Sequence, residues 1–258
     1  MISFDKIVNK MLKKGGKIIF LEDIFEIIDP ELQERNKSIV SKIIYKLKSQ
    51  KIIIPIKNGM YVVPKPGDEN LNEIDLIEKY YFEFCKKIIN KEVGSEYFIS
   101  GKKSLEIHHK NYTIPQKLIV VNRKINKRIL IGNYQIIFKT ITGNKKNLYS
   151  QLSNFTKTTQ IEGINFKISS LELSLIESAL IEDTFEGIPI DLLSKTLKKY
   201  SKFFDKDLFY KIGKFKYIMA FNRLKELSKN IDKNLYEVFL DIIKQNGGLF
   251  IGEGKRGI

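Results

Sequence analysis

The segment from Asn36 to Val63, NKSIVSKIIYKLKSQKIIIPIKNGMYVV, constrains the fold of this chain more than any other. Val40, Ile43, Ile44 and Leu47 fall at i, i+3, i+4 and i+7, which gives an amphipathic helix a single apolar stripe to bury. Two β-rich runs follow, "KIIIPI" and "MYVVP", joined by Lys57-Asn58-Gly59. An Asn-Gly pair is a strong hairpin signal because both residues tolerate positive φ. The same segment holds six lysines and no acidic residue. A helix with one dry face, set beside a hairpin and charged on its wet face, demands a small α+β unit that packs through the stripe.

The residues upstream supply the rest of such a unit. In MISFDKIVNKMLKKGG, the spacing of Phe4, Ile7, Val8 and Met11 predicts a helix over roughly 3–13 that ends at Gly15-Gly16. "KIIFLEDIFEII" then offers a short strand and a helix from near Asp23, stopped by Asp29-Pro30. Helix, strand, helix, helix, hairpin is the order of a winged helix-turn-helix, whose recognition helix enters the major groove while the wing meets the flanking backbone. Opposite the stripe lie Lys37, Ser38, Ser41, Lys42, Tyr45, Lys46 and Lys48, with Lys57 and Asn58 on the wing. Lysines neutralise phosphates, short hydroxyls approach phosphates or base edges, and a tyrosine packs on sugar, so these nine residues are the candidate DNA contacts. The overall excess of 45 Lys and Arg over 30 Asp and Glu also favours a polyanionic partner.

"KPGDENLNEID", residues 65–75, is polar and carries Pro and Gly, and it predicts a boundary between domains at 1–66 and 67–258. Beyond it a helix is expected over about 72–91, then a strand in "EYFIS", a short helix in "KKSLEIHHK", a strand in "KLIVV" and a strand pair turning at Gly132-Asn133. Ser170 is placed to cap a helix in "SSLELSLIESAL", and mostly helical segments follow. The expected class is α+β: a small N-terminal domain, then a larger mixed α/β domain with a helical C-terminal part. From Gly101 to Lys146 there are eleven Lys or Arg and one acid, Glu106. Lys102, Lys103, Lys110, Arg123, Lys124, Lys127 and Arg128 are therefore candidates for phosphate or RNA contact.

Catalytic and metal signatures are missing from the sequence. Metal-dependent nucleotidyl transfer needs carboxylates that clamp divalent ions, but the strand "KLIVV" leads into Asn122, and the one Asp-x-Asp triplet, Asp205 to Asp207, lies far downstream. His108 and His109 are neighbours, so on a helix they point about 100° apart and do not share one metal. There is no nucleophile elbow and no phosphate-binding Gly-x-x-x-x-Gly-Lys. We expect no enzyme, no cofactor and no metal. The single cysteine, Cys85, reads as a buried apolar residue in a reducing compartment, and no apolar run approaches the roughly 18 residues of a membrane span. A cytoplasmic protein without membrane contact is expected.

The helix and hairpin ending "KNGMYVVP", together with "ISGKKSLEIHH", the strand Leu118 to Val121 and "SSLELSLIESAL", resemble the AbiEi-type antitoxins of bacterial type IV toxin-antitoxin systems over nearly the whole chain. That resemblance implies an abortive-infection (phage-defence) antitoxin that represses its own operon by binding inverted repeats in double-stranded DNA, with cooperative pairing on the two half-sites. It also implies a C-terminal domain that counteracts a nucleotidyltransferase toxin without a stable complex. The residues themselves leave a second reading open, a transcription regulator whose basic C-terminal module binds RNA or senses a ligand.

Overall fold

The computed structural model describes residues 3–28, 37–57, 59–68, 70–143, 146–180, 188–215 and 217–247; of residues 37, 143, 146 and 147 it describes the backbone alone. The chain is mixed α+β and divides into two compact units, 1–92 with 129–135, and 93–128 with 136–258.

In the first unit the elements run α1 (Phe4–Leu12), β1 (Lys17–Phe20), α2 (Leu21–Ile28), α3 (Lys37–Ser49), β2 (Ile54–Lys57) and β3 (Met60–Val63). The strands form an antiparallel sheet in the order β1-β3-β2, with Ile18 opposite Val62 and Ile54 opposite Val62 on the other side. Gly16 takes φ +76 and donates its N–H to the Val63 carbonyl at 2.7 Å, so the Gly-Gly turn hands the chain directly onto the sheet. An apolar cluster joins these elements: Ile7 and Met11 from α1, Ile24 and Ile28 from α2, Val40 and Leu47 from α3, and Ile53 and Val63. Burying these side chains is what gives each short helix its place, because none is long enough to be stable alone.

The unit does not stop at residue 66. Asp68, in the polar stretch expected to be a linker, is fully buried. Its carboxylate accepts the Lys65 N–H at 2.8 Å, the Tyr80 hydroxyl at 2.5 Å and the Lys79 ammonium. A buried carboxylate is costly unless donors surround it, and here three do. The expected single helix over 72–91 is correspondingly two helices, α4 (Glu73–Lys79) and α5 (Tyr81–Val93), broken at Tyr80 with φ −111 and ψ 19. Asn72 opens α4 with a reciprocal capping box to Asp75. Residues 67–92, assigned above to the second domain, thus pack with the first unit.

The second unit begins with β4 (Tyr97–Ile99), α6 (Gly101–His108) and β5 (Lys117–Asn122). The chain then runs through β6 (Lys127–Ile131) and β7 (Tyr134–Lys139), of which residues 129–135 group with the first unit, a two-residue pair β8 (Thr142–Gly143) and β9 (Lys146–Asn147), and α7 (Tyr149–Leu152). The hairpin β10 (Thr156–Ile161) and β11 (Ile164–Ser169) leads into α8 (Leu171–Ser178). Among the described residues four helices follow: α9 (Ile190–Tyr200), α10 (Lys206–Gly213), α11 (Ile218–Ser228) and α12 (Lys233–Gln245). The large sheet has the order β10-β11-β4-β5-β7-β6, with β4 antiparallel to β5 and parallel to β11. Ser170 caps α8 by accepting from the Leu173 N–H, as its position predicts. Leu173, Leu197, Phe209, Phe221 and Phe239 belong to one core under α8 to α12, and the rings of Phe209 and Phe239 meet edge to face at 5.1 Å.

Removing the Asp68 carboxylate leaves the Tyr80 hydroxyl and the Lys65 N–H without an acceptor. Asp68→Ala is expected to lower stability by about 2–3 kcal/mol, and Asp68→Asn by less, since its amide oxygen keeps one acceptor. Urea denaturation midpoints measure this, and an unchanged midpoint for Asp68→Ala would refute the anchoring role.

Candidate nucleic-acid interface

α3 buries its stripe as the periodicity requires: Val40 and Leu47 are buried, and Ile43 and Ile44 pack half-buried against the same core. That fixes the rotation of the helix and turns Ser38, Ser41, Lys42, Tyr45, Lys46 and Lys48 outward, all exposed. Tyr45 is 72% exposed, an unusual position for an aromatic side chain with no core to fill. The Lys46 ammonium stands 4.0 Å from the centre of the Phe4 ring, so a cation–π contact holds one charge of the face near α1. No acidic side chain interrupts this helix or the hairpin after it. Lys57 is exposed at the end of β2 and donates to the Leu130 carbonyl at 2.8 Å. The Lys37 side chain and all of Asn58 lie outside the described residues.

The basic stretch of the second unit is divided by the fold. Lys102, Lys110, Lys127 and Arg128 are exposed. Arg123 and Lys124 are also exposed, but both reach the Glu96 carboxylate, at 3.7 and 3.4 Å, which cancels part of their charge. Lys103 departs from expectation: it is 3% exposed, and its ammonium donates to the Glu106 carboxylate at 3.2 Å, the Asn111 carbonyl at 3.0 Å and the Thr113 carbonyl at 2.5 Å. Burial pulls its pKa below the ordinary lysine range, and the Glu106 carboxylate partly restores it. All three ammonium protons are used to close the turn after α6, so Lys103 is a structural residue and not a surface phosphate ligand.

The two histidines are held apart and turned to backbone and hydroxyl partners. His108 Nε2 lies 2.9 Å from the Ser169 carbonyl, which can only accept, so that nitrogen carries the proton. Burial lowers its pKa to about 4. His109 Nε2 meets Thr196 Oγ1 at 2.8 Å, and its ring stands edge-on to Tyr200 at 5.1 Å. Burial first, and then the Lys199 and Lys195 charges, lower its pKa. Asn122, where catalysis would want an acid, instead ties the turn after β5. Its Oδ1 accepts from the Lys124 and Ile125 N–H groups at 2.8 Å each, and its Nδ2 donates to the Ile125 carbonyl at 3.0 Å. A carboxylate could not make the donating half of that arrangement. Among the described residues no cluster of three His, Cys, Asp or Glu side chains could hold a metal. None of the described helices is long and apolar enough to cross a membrane.

These features define an α+β chain with a basic, acid-free helix face on its first unit. No family model and no curated protein matches the sequence. Among solved structures, the chain is similar to the RV2827C protein from Mycobacterium tuberculosis, with 11% sequence identity and a TM-score of 0.62 over 93% of this chain and 80% of that one. At that identity the likeness is one of fold.

His108 makes stability depend on acid. The folded ring stays neutral down to about pH 4, whereas a histidine in the unfolded chain takes a proton near 6.5. Acidification between those values therefore favours unfolding. His108→Gln keeps a donor at the same reach without titrating, and its melting temperature should fall less between pH 6.5 and 4 than that of the wild type. Equal slopes would refute the assignment.

Proposed function

We propose that the first unit is a winged helix-turn-helix that binds double-stranded DNA, and that the protein is an AbiEi-type antitoxin and autorepressor of its own toxin-antitoxin operon. The observation that carries this reading is the face of α3. Its rotation is fixed by Val40 and Leu47, and it presents Ser38, Ser41, Lys42, Tyr45, Lys46 and Lys48 with no carboxylate among them. A helix of this kind places hydroxyls and a tyrosine toward the groove and lysines toward phosphates, while the β2–β3 hairpin supplies the wing. Phosphate contacts of this sort release counterions, so affinity falls steeply with salt.

The antitoxin half of the reading rests on the resemblance described above, in which the second unit counteracts a nucleotidyltransferase toxin. The architecture bears on how this is tested. Cutting the chain after residue 66 would leave residues 67–92 and 129–135 without the unit they pack in, so point substitutions separate the two activities more cleanly than truncation.

Band-shift titrations on the DNA upstream of the gene should show sequence-selective, salt-sensitive binding by the intact protein. Lys42→Glu with Lys46→Glu should weaken it at least tenfold and reduce the slope of log affinity against log salt by roughly 2. Protection against a toxin encoded alongside should survive in that variant. Retention of full DNA affinity would overturn the assignment of α3.

A further inference from the structure

We propose that the lysine face of α9, on the second unit, is a separate surface for single-stranded nucleic acid. α9 buries Leu193, Thr196 and Leu197 and turns Lys195, Lys198 and Lys199 outward, where together with Asp191 and Ser194 they line one shallow depression. Lys202 follows, also exposed. Between Pro189 and Phe204 there are four lysines and one acid, Asp191. Among the described residues, none of these four lysines forms an ion pair.

The end of this stripe is aromatic. Phe203 comes four residues after Lys199, within a turn that continues the helical hydrogen bonding, since the Phe203 and Phe204 N–H groups both donate to the Tyr200 carbonyl. Phe204 points inward and is buried, whereas Phe203 is 78% exposed, the most exposed large apolar side chain among the described residues. Leaving a phenyl ring in water forgoes about 2 kcal/mol of burial, a cost that a stacking partner would recover.

α9 is also braced on its other side. The Tyr200 hydroxyl donates to the His108 carbonyl at 2.8 Å, and His109 Nε2 meets Thr196 Oγ1. The exposed Lys110 follows directly in the chain, and Lys195 and Lys199 lie close enough to His109 to lower its pKa after burial. The braced helix thus presents a row of exposed lysines with an exposed ring at its end.

Charge alone would suit any polyanion. The ring decides for a single strand, because unpaired bases offer flat faces for stacking while a duplex hides them. This surface lies on residues different from those of α3 and does not rest on the DNA reading of the first unit.

Fluorescence anisotropy with labelled single strands of about 12 nucleotides, RNA and DNA of one sequence, together with the matching duplex, tests it. The full chain carrying Lys42→Glu and Lys46→Glu serves as background, so that α3 does not contribute. That protein should bind the single strands. Adding Lys195→Ala and Lys199→Ala should weaken binding about tenfold and lower the salt slope by about 1.4. Adding Phe203→Ala instead should weaken single-strand binding about tenfold while leaving the salt slope in place, since it removes stacking and no charge. Melting curves check that the variants fold, and the RNA-to-DNA affinity ratio tells which strand is preferred. Unchanged single-strand affinity in both variants overturns the proposal, as does equal affinity for the duplex with no effect of Phe203→Ala.

Discussion

A buried polar knot around Ser169 holds the second unit together. The Ser169 carbonyl, at the end of β11, takes the His108 Nε2–H from α6 and lies within reach of the Ser104 and Ser174 hydroxyls at 3.4 and 3.2 Å. The Ser169 hydroxyl donates to the Glu177 carboxylate at 2.6 Å, and that same carboxylate accepts the Gly101 N–H that opens α6. Ser104, Ser169, Ser174 and Glu177 are all buried. In a low-dielectric interior such bonds are strong when complete and costly when broken, so the knot dictates how α6, α8, β4 and β11 meet. The stretch Tyr97 to Pro115 is part of this knot. Its histidines and Lys103 are fasteners, and the surfaces available for binding are what the fastening leaves exposed.

The first unit is governed by a different balance. The cluster among its first helices and strands is mostly aliphatic, Tyr81, Phe82 and Phe84 add buried rings from α5, and the unit is extended past β3 by the buried Asp68 carboxylate. Proline, glycine and polar residues commonly mark linkers because their backbone is easily solvated. Here the same composition makes a tight turn around a buried acid. Composition does not distinguish the two cases, since the difference lies in donors supplied by Lys79 and Tyr80, eleven and twelve residues away.

Basic surfaces show the same contrast. On α3 the sequence pattern and the exposed face agree, because one helical stripe fixes which side chains face water. Over residues 101–146 the described lysines and arginines are spread across α6, the turns after α6 and β5, and several strands, and the fold buries one, pairs two with Glu96 and leaves others exposed on the surface. The lysine row of α9 is equally regular in sequence, but the adjacent exposed phenylalanine is informative only beside its buried neighbour Phe204, which no periodicity separates from it.

Local order was the part of this protein that the sequence determined by itself. The helix, strand, helix, helix, hairpin succession of the first unit, the Ser170 cap and the turn at Gly132 all follow from patterns within a few residues. The hairpin of β10 and β11 was readable on the same terms, since Thr156 to Ser169 holds two β-branched runs around Glu162-Gly163, both of which adopt positive φ. Tertiary structure alone decided the parallel pairing of β11 with β4, the burial of Lys103 and Asp68, and the interruption at Tyr80. Each of these depends on a partner distant in the chain, and whether a polar side chain is buried is set by whether the fold brings it enough hydrogen-bonding partners.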